Sequence, residues 1–469
     1  VLLINPPDPR MVGEYLAPSR IREHETLPPL GLAYIAAFLE KNGIEVDVLD
    51  AWTLDLPIEK VLDKVSEDSP KWVGITCDAT RASVTKEIAR RVKELDKNIK
   101  VAVGGPFPTC YPSFFKENID AVAIGEGERT MLDLVVRSDS GLESISGIGF
   151  SKDGEFHTTP QRPFIENLDE LPFPARHLLP MKKYFTILAS RAPVTSMFTS
   201  RGCPFECVFC SVPYQWGRRY RMHSAEYVVK EIEHVIENYG IKEIDFKDSD
   251  FTLNPRRTDA ICDLIIKKGI DITWICNSRV TGMTRERLEK MKQAGCKLLL
   301  FGVESGDPDT LKRIKKHITI EEIEKAFKNA EELGIDTFAY FIIGFPGETK
   351  ESIQRTINFA KKINPSYVAF SLATPYPKTE LWDWATERKL INPDSLNWNT
   401  YSFYDVSFQD EDWTMEEIKK IQIAAMKRAY ARRMVRLLTR GWKRPFFLRK
   451  LRIVGRAFLH TVGIAGTQS

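Results

Sequence analysis

The sequence predicts an α/β chain: a doubly wound parallel sheet, then a partial (βα)6 barrel, then a helical C-terminal extension. Three observations predict it. Short apolar runs alternate with helical segments through the first third of the chain, a second alternation of six strand–helix units begins near residue 194, and the alternation stops near residue 400. Apolar strands separated by helices specify parallel sheets, because a parallel return needs a crossover and the crossover helices bury both faces. The 469 residues exceed one ordinary domain of about 100–200 residues. Domains are expected at 1–145 and 191–400, with a linker at 146–190 and a basic helical region at 401–469.

In the first alternation Val1–Ile4 reads as a buried strand, and Leu30–Lys41 as a helix stopped by Asn42-Gly43. Val46–Leu49, a helix near Ile58–Glu67, Trp72–Thr76, a helix near Val84–Leu95, Val101–Val103 and Ala121–Ile124 follow. Ligands of such sheets bind at the carboxyl ends of the strands. Those ends carry Asn5-Pro6-Pro7, Thr76-Cys77, Gly104-Gly105-Pro106 and Gly125-Glu126-Gly127-Glu128. Their small residues let backbone approach a large flat ligand. From about Ile145 to Tyr184, Gly154, Pro160, Pro163, Pro172, Pro174 and Pro180 suggest an irregular connector. The second alternation places strands at Val194–Thr199, Ile244–Lys247, Ile272–Cys276, Lys297–Val303, Thr337–Ile343 and Tyr367–Leu372. A barrel so built works at the C-terminal ends of its strands. Thr414-Met415-Glu416-Glu417 is a capping box that opens a final helix.

Composition excludes several classes. Hydrophobic residues at 43% and charged residues at 28% rule out wholesale disorder. Lys+Arg 67 against Asp+Glu 64 is no nucleic-acid signature. No apolar run approaches the roughly 20 residues of a membrane span, and the opening Val1–Ile4 runs into Asn5-Pro6-Pro7 rather than a leader pattern. A reducing, cytoplasmic location is expected.

Cys203, Cys207 and Cys210 form a C-x3-C-x2-C trio directly after the first barrel strand. Thiolates suit iron–sulfur clusters or zinc. Structural zinc wants a fourth ligand close by, and the spacing of His223 does not recommend it. Three thiolates on a four-iron cluster leave one iron open for a substrate or cosubstrate. Cys262, Cys276 and Cys296 read as buried structural thiols, and no second cluster is expected in the C-terminal region.

In spacing and position the trio resembles the cluster motif of the radical S-adenosylmethionine (SAM) enzymes. Phe246-Lys247-Asp248-Ser249-Asp250-Phe251, Phe301-Gly302-Val303-Glu304-Ser305-Gly306, Ile343-Gly344-Phe345-Pro346-Gly347-Glu348-Thr349 and Thr374-Pro375-Tyr376-Pro377 resemble that family's later strand-end motifs. The resemblance implies a [4Fe–4S] cluster on Cys203, Cys207 and Cys210, with SAM chelated to the open iron and cleaved to a 5′-deoxyadenosyl radical. It implies SAM contacts from Glu304, Ser305 and Gly344. The family's common Gly-Gly-Glu is absent, so Asp248 or Asp250 would receive the SAM amino group.

Pro28-Pro29-Leu30-Gly31, Val103-Gly104-Gly105-Pro106 and Ile124-Gly125-Glu126-Gly127-Glu128 resemble the Rossmann-like cobalamin-binding domain that precedes the TIM-type barrel in one radical-SAM class, many of whose members are methyltransferases. The resemblance implies cobalamin contacts at Asn5, Pro6, Pro7, Leu30, Gly31, Thr76, Gly104, Gly105, Pro106, Gly125, Glu126, Gly127 and Glu128. The His-ligating version carries Asp-x-His-x-x-Gly, which is absent here, and Phe107 stands where relatives often have His. Cobalamin is therefore expected without a protein His on cobalt. The implied activity is methylation of an unactivated carbon of a small-molecule or lipid substrate, the alternative being cyclisation or C–C coupling with the same cofactors. An electron donor such as flavodoxin or ferredoxin is implied, and no nucleic acid. Basic residues from Arg432 to Arg456 interleave with Leu, Trp and Phe. That pattern fits peripheral contact with the inner face of a membrane, or a helix pair that closes the open side of the barrel.

Overall fold

The computed structural model describes residues 1–7, 26–137, 141–398, 401 and 408–440, with backbone alone beyond residue 428. A seven-stranded sheet opens the chain: β1 Leu2–Asn5, β2 Asp47–Asp50, β3 Trp72–Thr76, β4 Lys100–Gly104, β5 Ala121–Ala123, β6 Ile148–Lys152 and β7 Glu155–Thr158. Their order is β2-β1-β3-β4-β5-β6-β7. Strands β1 to β5 pair in parallel, as expected. The segment read as an irregular connector departs from that reading: β6 and β7 form an antiparallel hairpin that extends the sheet. Its turn is Asp153-Gly154, with φ 53° and 83°. Two successive residues at positive φ make the tight turn that matches strand twist, and Asp-Gly is its usual sequence.

Helices α1 Leu30–Lys41, α2 Ala51–Leu54, α3 Ile58–Asp68, α4 Ala82–Leu95, α5 Pro106–Cys110 and α6 Gly127–Arg137 flank this sheet. On α3 the buried residues are Ile58, Val61, Leu62 and Val65, a stripe at helical spacing. α1 is buried on most sides, through Leu30, Leu32, Ala33, Tyr34, Ala36, Ala37 and Leu39, because it is wedged between the sheet and the connector.

The second sheet is β8 Val194–Met197, β11 Glu243–Phe246, β12 Thr273–Ser278, β13 Cys296–Glu304, β14 Asp336–Ile343 and β15 Tyr367–Leu372. All neighbours are parallel, in the order β15-β14-β13-β12-β11-β8. Between β8 and β11 a two-residue ladder joins β9 Ser200–Arg201 to β10 Arg221–Met222. The short helix α7 Val212–Trp216 lies inside the loop that this ladder closes. Five helices lie along the barrel: α8 Ala225–Tyr239, α9 Pro255–Lys267, α10 Arg285–Gln293, α12 Ile320–Glu332 and α13 Lys350–Lys362, with α11 Pro308–Arg313 and α14 Glu380–Glu387 at its loops.

The final helix, α15 Met415–Arg440, begins at the expected box: Thr414 N donates to Glu417 Oε2 at 3.0 Å and Glu417 N to Thr414 Oγ1 at 3.2 Å. It lies against edge strand β15. Gln422 Nε2 donates to Phe370 O at 3.1 Å, and Phe370 N reaches Met426 Sδ at 3.3 Å. Side chains thus satisfy backbone groups that a bare edge would expose. This part of the tail covers the β15 edge of the barrel sheet, and the basic stretch from residue 441 lies outside the described residues. Among the described residues no helix is long and apolar enough to cross a membrane.

Candidate functional site

The cysteine loop is held before any ligand arrives. β9 and β10 clamp its two ends. Gly202, at φ +90°, turns the chain into Cys203, where an added Cβ would collide with the Arg219 carbonyl. Cys203 N donates to Gly217 O at 3.2 Å, Cys210 N to Cys207 O at 3.1 Å, and Val208 N to Ile314 O at 3.2 Å. All three thiols are free and half-buried. Burial raises the Cys203 thiol and pushes Cys210 up to about 12, so a metal's positive charge is needed to bring out the thiolates at neutral pH. His223 is occupied elsewhere, 3.1 Å from Asp169 and stacked on Tyr227. Cys262, Cys276 and Cys296 are fully buried, as structural thiols should be.

The glycine loops line a slot of ≈ 240 Å³ at the strand ends of the first sheet. Gly31, Thr76, Gly104, Gly105, Pro106, Gly125 and Gly127 form its walls with Glu128, and the barrel side adds Phe198, Gln215 and Trp216. At Gly31 an added Cβ would meet nothing within 4 Å, so the helix backbone faces open space. Gly105, at φ +108°, cannot hold a side chain without contact at 2.8 Å with the Cys77 carbonyl. A second cavity, ≈ 440 Å³, takes Asn5, Leu30, Gly31, Thr76 and Pro106. Asn5 is braced there by Asp50 at 2.7 Å and Arg81 at 2.6 Å, while Pro6 and Pro7 are buried after β1.

The largest of these cavities, ≈ 690 Å³, lies between the two sheets. Cys210, Glu304, Phe107, Tyr340, Ser371 and Tyr376 are on its wall, and Pro106 and Gln215 line both it and the slot. Sequence reading did not single out Tyr340 and Tyr376 as lining residues. Along β14 Thr337, Ala339, Phe341 and Ile343 are buried while Phe338, Tyr340 and Ile342 are half-buried, an alternation that the sequence, apolar on both faces, does not show. Phe107 packs on Trp398 with ring centroids 4.6 Å apart and on Phe114 at 5.3 Å. An imidazole there would lose that packing.

Several residues expected to contact the cofactors also make bonds within the protein. Glu126 accepts from Arg201 Nη1 at 2.9 Å, Arg221 Nη1 at 2.8 Å and Ile165 N at 2.6 Å. Its carboxylate joins the end of β5 to the β9–β10 ladder and the connector. Glu128 Oε1 binds Arg201 Nη2 at 2.5 Å, and its Oε2 is buried without a partner in a residue that lines the slot. Although burial works against its charge, the two carboxylates hold Arg201 well above its ordinary pKa.

Asp248 accepts from Thr199 N at 2.7 Å, Thr199 Oγ1 at 2.5 Å and Ser200 N at 2.6 Å. It fixes the start of the cysteine loop. Burial raises its carboxyl against the opposing pull of Arg257. Asp250 binds Thr252 through Oδ1 and is near enough to Cys203 to add to the upward shift of that thiol. Glu304, at φ +66°, lines the large cavity and pairs with Lys316 at 2.7 Å. Ser305 is fully buried and bonded to Thr356 at 2.9 Å, which braces the end of β13. Gly344 is covered by Trp413 and Ile418 of the C-terminal segment.

Glu348, on the turn after β14, accepts from Gly344 N at 2.8 Å and Phe345 N at 2.9 Å. Burial outweighs those donors and pushes its carboxyl up to about 7. A raised carboxyl pKa favours the protonated form in the fold, so the contribution of Glu348 to stability is fully present below the ordinary carboxylate pKa and is lost as pH rises toward 7. The decline between about pH 4.5 and 7 should total roughly 3 kcal/mol. Glu348→Gln keeps the acceptor oxygen and should flatten this part of the stability profile. Parallel wild-type and variant slopes in urea titrations across that window would refute the assignment.

Comparison with known proteins agrees with this architecture. Residues 197–360 match the radical SAM superfamily and residues 24–135 the B12 binding domain. The chain is 37% identical over 435 residues to an uncharacterized methyltransferase of Pyrococcus horikoshii, spanning 92% of this chain and 91% of that one. An anaerobic magnesium-protoporphyrin IX monomethyl ester cyclase of Rubrivivax gelatinosus is 32% identical over 76% of this chain and 66% of its own length. Among solved structures, the radical SAM methyltransferase TsrM of Kitasatospora setae, with cobalamin and a [4Fe–4S] cluster bound, superimposes with TM-score 0.72 at 17% identity, covering 98% of this chain and 99% of that one. The cobalamin-dependent enzyme OxsB, with aqua-cobalamin and SAM bound, gives 0.76 at 19%, over 98% of this chain and 71% of its own. At these identities the two structures establish a shared fold. Two domain matches in this order, and a relative similar along nearly the whole chain, lead to one conclusion: the chain belongs to the B12-binding radical SAM enzymes.

Proposed function

We propose that the chain is a cobalamin-dependent methyltransferase acting, through a substrate carbon radical, on an unactivated carbon of a small-molecule or lipid substrate. One observation carries the reading: the glycine-lined slot and the cysteine loop open on adjoining cavities, with Pro106 and Gln215 on the wall of both. Methyl transfer to a radical needs the two reactive centres to share one substrate, and this juxtaposition supports that.

In this reading Cys203, Cys207 and Cys210 hold a [4Fe–4S] cluster, Asp250 and Glu304 face SAM, and Gly31, Thr76, Gly104, Gly105, Pro106, Gly125 and Gly127 cradle cobalamin. The residues fit these groups. The donor set is three free thiols, and Gly31 leaves open the space a side chain would fill. When bound, the cofactors supply a carbon-centred radical and a methyl group. The chain's own residues position and exclude water: Asp248 and Arg257 fix the loop entrance at Thr199, Lys316 holds the Glu304 carboxylate at the cavity wall, and Phe107, Ile342 and Tyr376 make that wall largely apolar. Radical SAM enzymes need an electron donor, taken here to be of the flavodoxin or ferredoxin class in the cytoplasm.

Among the described residues no His lines the slot or either cavity. Cobalamin is therefore expected base-off with no His on cobalt. Nitrogen superhyperfine splitting in the cob(II)alamin spectrum would contradict this.

The reading is tested by anaerobic turnover with methyl-labelled SAM and candidate lipids, tetrapyrroles and peptides. The expected product carries one added labelled methyl, with 5′-deoxyadenosine and S-adenosylhomocysteine formed in equal amounts. Product with 5′-deoxyadenosine but no S-adenosylhomocysteine would replace methylation by ring formation or C–C coupling.

A further inference from the structure

We infer that the slot at the strand ends of the first sheet takes the nucleotide tail of the corrinoid and selects its lower base, accepting an apolar benzimidazole and rejecting a purine. This rests on the placement of cobalamin proposed above and goes on to name which corrinoid the chain binds. The slot measures ≈ 240 Å³. That is below the roughly 300–1,000 Å³ of sites that hold a whole ligand, so it receives an appendage and not the macrocycle. Small residues make it. Gly74 of β3 stands in register with Ala102 of β4 and, two residues on, Thr76 with Gly104. Positions two apart share one face of the sheet. These rows leave a trough between α1 and α6, whose Ile35 and Met131 also line it. Gly74 and Gly127 set its width: an added Cβ would come within 2.7 Å of Leu3 Cδ2 at the first and 2.6 Å of Ile35 Cδ1 at the second.

The two ends of the slot differ in chemistry. Ile35 lies one turn beyond Gly31 on α1, and Met131 one turn beyond Gly127 on α6. Gly74 and Ala102 lie two residues before their strand ends. With Leu3 these residues form an apolar floor. The strand backbone there is used in the β1–β3 and β3–β4 ladders. The Met131 thioether is a weak acceptor that suits contact with an aromatic ring. The polar side chains of the lining are at the mouth: Thr76, Thr109, Glu128, Gln215 and the Trp216 indole. Thr109 Oγ1 accepts from Gly125 N at 3.1 Å, and Gln215 Nε2 donates to Ser211 Oγ at 3.0 Å. Glu128 Oε1 is held by Arg201 at 2.5 Å, but Glu128 is 3% exposed and its Oε2 has no partner. A buried carboxylate oxygen wants a donor, and a hydroxyl of the sugar between corrin and base supplies one at the mouth. The base then rests on the floor. A benzimidazole buries one free ring nitrogen there. Adenine adds two more ring nitrogens and an exocyclic amine, none of which finds a partner, and each such group is costly to bury.

The test compares cobalamin, adeninylcobamide and cobinamide, the last having the corrin and no nucleotide. Anaerobic equilibrium dialysis is run on the full chain, reconstituted with iron and free of corrinoid, and is read by corrinoid absorbance. Cobalamin should bind at least about tenfold more tightly than either of the others. Met131→Gln, which places a donor and an acceptor on the floor, should bring cobalamin and adeninylcobamide to within about threefold of each other. The same variant should leave cobinamide binding unchanged, which a distorted domain would not do. If that variant does not fold, the wild-type ratios decide alone. Adeninylcobamide or cobinamide bound by the wild type as tightly as cobalamin overturns the inference and leaves the proposed function standing. No binding of any corrinoid overturns both.

Discussion

Replacing Cys203, Cys207 and Cys210 together by Ala should take the reconstituted chain from about four irons to none and abolish 5′-deoxyadenosine formation. The effect is expected to be complete because the trio is the whole thiolate set in the loop; the other five cysteines are buried in the two sheets and their helices. The fold should survive. The loop is anchored by the β9–β10 ladder and by backbone hydrogen bonds to Gly217 and Ile314, none of which uses a sulfur. Half-buried thiols also contribute less packing than core side chains. Circular dichroism and urea midpoints close to wild type would confirm a local lesion. Cys262→Ala is the control, since it removes a buried thiol and should leave iron content unchanged. Continued 5′-deoxyadenosine formation by the triple variant would refute the cluster assignment.

Arg201→Met should be the most damaging single change to stability, by about 3–5 kcal/mol. Arg201 is buried, bonded to both Glu126 and Glu128, and its guanidinium lies 4.8 Å from the Trp216 ring centre. Removing it leaves Glu128 with no cation and Glu126 with Arg221 alone. Uncompensated buried carboxylate, more than loss of attraction, sets the cost. Hence the double variant Arg201→Met with Glu128→Gln should recover part of the loss, and Arg201→Lys should fall between, because an ammonium cannot serve two carboxylates through a planar fork. The network ties β9 and β10 to the loop before α6, so the single variant should also bind cobalamin more weakly through a displaced slot. Urea unfolding followed by tryptophan fluorescence checks the series. A double variant no more stable than the single one would show that the uncompensated charge is not the cause.

The two alternations were legible as sequence because each element carries its own period. Leu30–Lys41, Trp72–Thr76 and Tyr367–Leu372 have the same bounds in the structure as in the sequence reading. The β6–β7 hairpin was legible too, through Asp153-Gly154, but the surrounding prolines outweighed that turn in the reading. The carboxylates were not. Glu126 and Asp248 sit in loops of the right kind, yet their partners lie 75 and 49 residues away in sequence, at Arg201 and Thr199.

By itself the sequence determined the order of strands and helices, the cysteine trio and the glycine loops. These depend on residue periodicity, on short spacings and on the lack of a side chain, all of which are local properties. Only the tertiary structure decided which acids line a cavity and which are bonded inside the protein. It also decided that the slot and the cavity beside the cysteine loop share walls at Pro106 and Gln215. The physical reason is that a buried charge must be matched by whatever the fold brings beside it. That neighbour is set by how the two sheets dock, which no local pattern in the chain records.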